Sequence, residues 1–272
     1  MSNFKKLMMS AATGGGGLNV EDVFITYLYT GNGTSQTITN GIDLDGEGGL
    51  VWVKSRGSTA NHVLVDTERG VRRNLSSNTT DAEGSVSGDN VNAFYSNGFL
   101  AGPDGKVNSP SVDYASWTFR KAPKFFDVVT YTGDGVAGRE IAHNLGSVPG
   151  CIMIKQTTGT NNWIVYHRGA NGGTNPEQYN LYLNLTNAQE DFILFDDTAP
   201  TATNFTVGGY ASVNGSGQTY VAYLFAHNDG DGEFGPDGDA DIIKCGSYTG
   251  NGSTDGPVID LGFEPQWLLT KA

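Results

Sequence analysis

The densest run of side chains able to do chemistry is the acidic stretch Asp229-Gly230-Asp231-Gly232-Glu233-Phe234-Gly235-Pro236-Asp237-Gly238-Asp239-Ala240-Asp241. Carboxylates alternating with glycine can wrap a hard cation, and calcium accepts six to eight oxygens at flexible geometry. Asp229, Asp231, Glu233, Asp237 and Asp239 are therefore the candidate Ca2+ ligands. The spacing opens like an EF-hand loop but lacks the glycine at the sixth position and the closing glutamate. The competing reading is a solvated, self-repelling spacer. A second pair, Asp66 and Glu68, would share one face of a strand, where the two carboxylates of a glycosidase could sit. The corresponding stretch further along carries Tyr166 and Arg168 instead, which argues against a catalytic pair. His62, His143, His167 and His227 have no partner at metal-ligand spacing. Cys151 and Cys245 share no motif and read as unpaired buried thiols. No catalytic residue emerges, and no cofactor beyond that calcium.

The elements that would hold these groups repeat. Tyr29-Thr30-Gly31-Asn32-Gly33 returns as Tyr131-Thr132-Gly133-Asp134-Gly135 and as Tyr248-Thr249-Gly250-Asn251-Gly252. Each copy leads to an apolar run ending in lysine, at Lys54, Lys155 and Lys271. Arg69-Gly70 and Arg168-Gly169 follow in the first two copies. Those copies close with Val107-Asn108 then Tyr114-Ala115-Ser116-Trp117-Thr118-Phe119, and with Val213-Asn214 then Tyr220-Val221-Ala222-Tyr223-Leu224-Phe225. Ordered markers at near-constant spacing divide the chain into a segment 1–23, units 24–122 and 125–228, the acidic linker 229–241, and 242–272 as the truncated start of a third unit.

Within a unit the pattern is that of short strands bounded by Gly, Asn and Asp. The spacing predicts an all-β chain of tandem β-sandwich-like units of about 100 residues. Asn-Gly and Asp-Gly predict hairpin turns, with return strands at 37–44, 139–145 and 257–261. Aromatics such as Trp163 or Tyr179 could stack on sugar faces or fill the core.

Composition bounds the rest. Gly is 39 of 272 residues and the net charge is −13, which repels phosphate backbones and argues against a nucleic-acid partner. An aromatic content of 11% argues against wholesale disorder. No apolar run is long enough for a membrane helix.

With Leu261-Gly262-Phe263-Glu264-Pro265-Gln266-Trp267, the closing strand Tyr220 to Phe225 and the opening Phe4-Lys5-Lys6-Leu7-Met8-Met9 before a glycine run, the chain resembles tail-fibre-like proteins of tailed bacteriophages. The first unit departs from the pattern, with Leu44-Asp45-Gly46-Glu47-Gly48-Gly49 in place of Leu-Gly-x-x-Pro. The resemblance implies a virion structural protein, made in the bacterial host, that assembles as a homotrimer. Its amino-terminal part would attach to other tail proteins, and its distal part would meet a host surface glycan or protein. Phe4, Lys5, Lys6, Leu7, Met8 and Met9 are the attachment candidates, apolar side chains for a groove and two lysines for an acidic rim. A tailspike-like glycan-degrading enzyme and a capsid decoration protein are the alternatives.

Overall fold

The computed structural model describes residues 16–84 and 89–271. The attachment candidates Phe4 to Met9 lie outside them. The fold is all-β, built from antiparallel sheets with two four-residue helices, α1 (Val20–Val23) and α2 (Gly105–Asn108). The strands are β1 (Phe24–Thr30), β2 (Gln36–Thr39), β3 (Gly49–Ser55), β4 (Val63–Asp66), β5 (Val91–Tyr95), β6 (Gly98–Ala101), β7 (Asp113–Arg120), β8 (Phe126–Thr132), β9 (Arg139–Ala142), β10 (Cys151–Gln156), β11 (Ile164–His167), β12 (Tyr179–Tyr182), β13 (Glu190–Asp191), β14 (Asn204–Val207) and β15 (Thr219–Phe225).

Two large sheets dominate. One has the order β1-β7-β3-β4, the other β13-β12-β11-β10-β15-β8. In both, the closing strand (β7 or β15) lies between the opening strand and the apolar strand that ends in lysine. Tyr29 pairs with Tyr114 and Leu50 with Phe119. Tyr131 pairs with Tyr220 and Cys151 with Phe225. Two small sheets, β2-β6-β5 and β14-β9, complete the structure.

Side-chain alternation assigns each face of the large sheets to a different core. Leu50 and Trp52 of β3 join Phe119, Phe126, Met153, Val221, Tyr223 and Phe225 in a central core shared by both large sheets. Val51 and Val53 point the other way, to Ile38, Val91 and Phe99 of the first small sheet. Ile152, Ile154, Ala222 and Leu224 likewise face Ile141, Phe205 and Val207 of the second. The result is four layers, small–large–large–small, with an apolar core at each of three interfaces. Antiparallel sheets commonly leave one face in water, giving an alternating pattern. Here both faces of β3, β10 and β15 are covered, which is why their sequences read as continuous apolar runs.

Two expectations need correction. The Asn-Gly and Asp-Gly turns do not make hairpins: β1 pairs with β7, while β2 pairs with β6. The chain turns a corner from a large sheet to a small one, because the turn amides bond the closing segment and not a return strand: Gly31 N donates to Val112 O and Gly33 N to Asn108 O. The strand expected at 257–261 does not form, and residues 242–271 contain no strand. The stretch 120–124 joining the first two units is itself packed. Lys121 N bonds Gly48 O, Ala122 bridges to Phe126, and Phe125 is buried in the central core.

Candidate functional site

The repeated residues fasten corners. The Tyr29 hydroxyl donates to Val107 O at 2.7 Å, and the Tyr131 hydroxyl donates to Val213 O at 2.7 Å. Asn108 Oδ1 accepts from Asn32 N at 2.9 Å, and Asn214 Oδ1 from Asp134 N at 3.1 Å. Tyr114 accepts from Ser109 N and donates to Gly105 O; Tyr220 accepts from Gly215 N and donates to Ala211 O. The ring pairs Tyr29–Tyr114 and Tyr131–Tyr220 stack at 5.3 and 5.1 Å. The glycines follow from this geometry. A Cβ on Gly31 or Gly133 would overlap the carbonyl oxygen of Ser109 or Gly215, while Gly33 and Gly135 have φ of 75° and 77°.

The repeated lysines do the same for the turns after their strands. Lys54 Nζ donates to Ser55 O and Ser58 O, and Lys155 Nζ donates to Gln156 O at 2.8 Å and Gly159 O at 3.0 Å. Lys155 is wholly buried. Burial pulls its pKa down to about 8, against a smaller opposing pull from Asp81. Asn40 and His143 are also matched: Asn40 Oδ1 accepts from Ile42 N, and His143 Nδ1 from Leu145 N, both at 3.2 Å. Asn40 Nδ2 finds Thr118 Oγ1 at 2.8 Å. The His143 ring is buried, and a contact with the Thr201 backbone opposes the lowering of its pKa by burial.

The Arg-Gly dipeptides are not equivalent in space. Arg69 is buried between the large sheets, with Nε 2.7 Å from Asp66 Oδ2, Nη1 2.9 Å from Glu83 Oε2 and Nη2 3.1 Å from the Tyr223 hydroxyl. Tyr223 donates to Asp66 Oδ2 at 2.8 Å, and Arg73 closes on Glu83 at 2.7 Å. Burial works against the Arg69 charge, but Asp66, Tyr223 and Glu83 together raise its pKa. Burial also pushes the Tyr223 phenol well up. The Asp66 and Glu68 carboxylates are thus committed to different cations, Asp66 to Arg69 and Glu68 to Lys121 at 2.7 Å.

Arg168, by contrast, is exposed and lines an open cleft of about 510 Å³ with Lys124, Ser147, Val148, His227, Asp229 and Asp231. The acidic stretch forms one wall and is a folded loop. Phe234 bridges to Ala240 and Leu18 and is buried. Asp241 accepts from Gly230 N and Gly232 N, which lowers its pKa despite some burial. Lys124 pairs with Glu233 at 2.7 Å, and Lys244 with Asp229 at 3.4 Å. Lysines and backbone amides, not mutual repulsion, set this loop's shape. Among the described residues, no three His, Cys, Asp or Glu side chains are grouped to hold a metal ion. Asp229, Asp231, Glu233, Asp237 and Asp239 are therefore not brought together as a ligand set.

His227 beside this cleft has its pKa lowered by burial and by Arg168. The cleft offers charges and hydrogen bonds for polar groups, with Arg168 the one cation in its lining that has no acidic partner among the described residues.

Other candidates are placed as follows. Trp163 is fully buried, stacked on Tyr223 at 6.1 Å with its Nε1 donating to Ser76 O, so it belongs to the core and presents no face to a sugar. Tyr179 is half-buried on β12. Cys151 and Cys245 are unpaired thiols, both with pKa raised by burial. Sequence reasoning missed the Arg69–Tyr223 cluster, for which only the buried-strand position of Asp66, three residues before an arginine, offered a signal.

No curated protein and no solved structure matches the chain. One family model does, over residues 19–272, which takes in both large sheets, the acidic loop and the segment beyond it. The chain belongs to the family described as Domain of unknown function (DUF7483).

Proposed function

We propose that this chain is a structural and adhesive virion protein of the bacteriophage tail-fibre type. In this reading, residues 24–122 and 125–228 are tandem sandwich-like units, 1–23 attaches to other tail proteins, and distal regions meet a host glycan or protein. The observation that carries it is the matched set of fasteners. The Tyr–carbonyl, Asn–amide and Lys–turn bonds recur at the same corners of two sheets whose order matches over four strands, β1-β7-β3-β4 and β8-β15-β10-β11. Residues that recur to hold corners serve a rigid rod better than a reaction centre. Apolar side chains left in water support self-association: Phe192 and Tyr210 pack at 4.8 Å and are each about two-fifths exposed, with Val136 at 63%. A homotrimer would cover such a surface.

The test is the particle. Chains lacking residues 2–13 are expected to keep an unchanged circular dichroism spectrum yet be absent from purified virions. Full incorporation of the truncated chain would overturn the attachment role. Light scattering of the purified full chain is expected at three times the chain mass, and a clean monomer mass would remove the trimer.

A further inference from the structure

Sheet register explains why Arg168 lacks the carboxylate that Arg69 has. Leu50 and Cys151 each stand four residues before the lysine that follows them, Lys54 and Lys155. Leu50 pairs with Asp66, and Cys151 pairs with His167. At this position the first sheet places the carboxylate that holds Arg69, and the second places an imidazole. Burial lowers the His167 pKa, and so do Arg168 and His227, so the ring is neutral at pH 7 and supplies no counter-charge. Its Nδ1 accepts from Gly169 N at 3.1 Å. In a chain of net charge −13, an exposed arginine on a cleft wall is thus left without an acidic partner among the described residues.

The groups around Arg168 divide into donors and acceptors. His227 accepts from Cys245 N on Nδ1 at 3.0 Å, so the neutral ring keeps its proton on Nε2 and is a donor there. Ser147 has a buried hydroxyl oxygen with no hydrogen-bond partner among the described residues, a costly state that a polar ligand would relieve. The acceptors are the Asp229 and Asp231 carboxylates. Positive charge already stands beside both: Lys244 Nζ is 3.4 Å from Asp229, and Lys124 Nζ donates to the backbone oxygen of Asp231 at 2.9 Å. Carboxylates so placed suit neutral hydroxyl groups better than an ammonium group, and they repel a compact dianion such as phosphate. The volume of about 510 Å³ is within the range of small-molecule sites.

We infer that this cleft binds an acidic sugar, a saccharide residue carrying one carboxylate. Arg168 takes the carboxylate in a bidentate pair, with His227 and Ser147 as further donors. Asp229 and Asp231 accept from the sugar hydroxyls, which selects a hydroxylated monoanion over a plain anion. The inference deepens the adhesive part of the reading above by naming a ligand class. It rests on that part alone, and not on attachment through residues 1–23 or on a trimer.

The probe is glucuronate, titrated against the purified full chain and followed by ligand-observed saturation-transfer NMR. Glucose, inorganic phosphate and alanine are the comparison ligands. Saturable binding of glucuronate is expected, with Kd on the order of 1 mM, and binding of the other three at least about tenfold weaker. Arg168→Met and Arg168→Lys are both expected to weaken glucuronate by about tenfold or more, since an ammonium group cannot form the two-pronged pair. Arg168 is exposed, so both variants should keep the parental circular dichroism spectrum. Absence of saturable glucuronate binding, or equal binding by the folded variants, would overturn the inference. Glucose binding as tightly would remove the carboxylate from recognition. Phosphate or alanine binding as tightly would make this a site for plain anions or zwitterions, and each of these three results also overturns it. The titration uses the isolated chain, so its failure would leave the virion-incorporation and light-scattering tests standing.

Discussion

Arg69 and Tyr223 lie 154 residues apart and meet at 3.1 Å between the two large sheets, with Asp66 bonded to both. The contact ties the 24–122 stretch to the 125–228 stretch through a buried charge. Around it lies an apolar face too large to be left in water: Phe119, Phe126 and Phe225 pack within 5.5 Å of one another. The two stretches are thereby expected to unfold together, whatever their separate origins.

Breaking this cluster should cost more than removing a surface ion pair. Tyr223→Phe takes one hydrogen bond from a buried carboxylate and is expected to lose about 1–3 kcal/mol. Arg69→Met leaves Asp66 buried without its cation and is expected to lose about 3–5 kcal/mol. Urea unfolding followed by tryptophan fluorescence and by circular dichroism should give one coincident transition that shifts in both variants. Two separate transitions, only one of them moving, would show that the large sheets are independent.

The corner bonds predict matched losses at paired positions. Tyr29→Phe and Tyr131→Phe should each cost about 1 kcal/mol, and the double variant should be additive to within about 0.5 kcal/mol. Gly31→Ala and Gly133→Ala force a methyl group against a carbonyl oxygen and should cost about 1–3 kcal/mol each. Gly250→Ala, with open space around it, should stay within about 0.5 kcal/mol of the parent. Thermal denaturation of the six variants side by side checks the pattern.

Lys155 should make stability rise with pH on the alkaline side. Its pKa falls to about 8 in the fold, from the ordinary lysine value in the unfolded chain. Between those values the unfolded state binds the extra proton, so stability increases as pH rises through that window, by up to about 3 kcal/mol. Buried Tyr29, Tyr131 and Tyr223, all with raised pKa, work the opposite way once the unfolded phenols ionise. The parent and Lys155→Met should therefore be compared between pH 8 and 10. The variant is expected to lack the rise, and parallel curves would contradict it.

On the acid side the histidines act. Burial comes first among the causes that lower the pKa values of His62, His143, His167 and His227. Their contribution is present above the ordinary histidine value of about 6.5 and is lost as pH falls below it, because the unfolded chain takes up protons that the folded chain refuses. Stability measured from pH 8 down to pH 5 should decline. His143→Asn, which keeps an acceptor for Leu145 N as Asn40 does for Ile42 N, should flatten part of that decline.

Local chemistry was legible in the sequence. Asn32, Asp134 and Asn251 each bond the amide two residues on, and this needs nothing beyond five consecutive residues, so it forms in all three copies. The all-β character and the strands at 49–55, 151–156 and 219–225 followed from short apolar runs of the right composition. Which side chain faces which core did not follow. An uninterrupted apolar run says only that both faces are covered, and the central core between the large sheets is contributed by residues about a hundred positions apart. The two Arg-Gly dipeptides look alike, yet one is sealed between sheets and the other stands in an open cleft. The stretch 257–261 has the residues of a strand and forms none, because a strand exists only when a neighbour takes up its backbone hydrogen bonds. That neighbour comes from tertiary structure: β7 and β15 supply it for the first two copies, and among the described residues no strand pairs with 257–261.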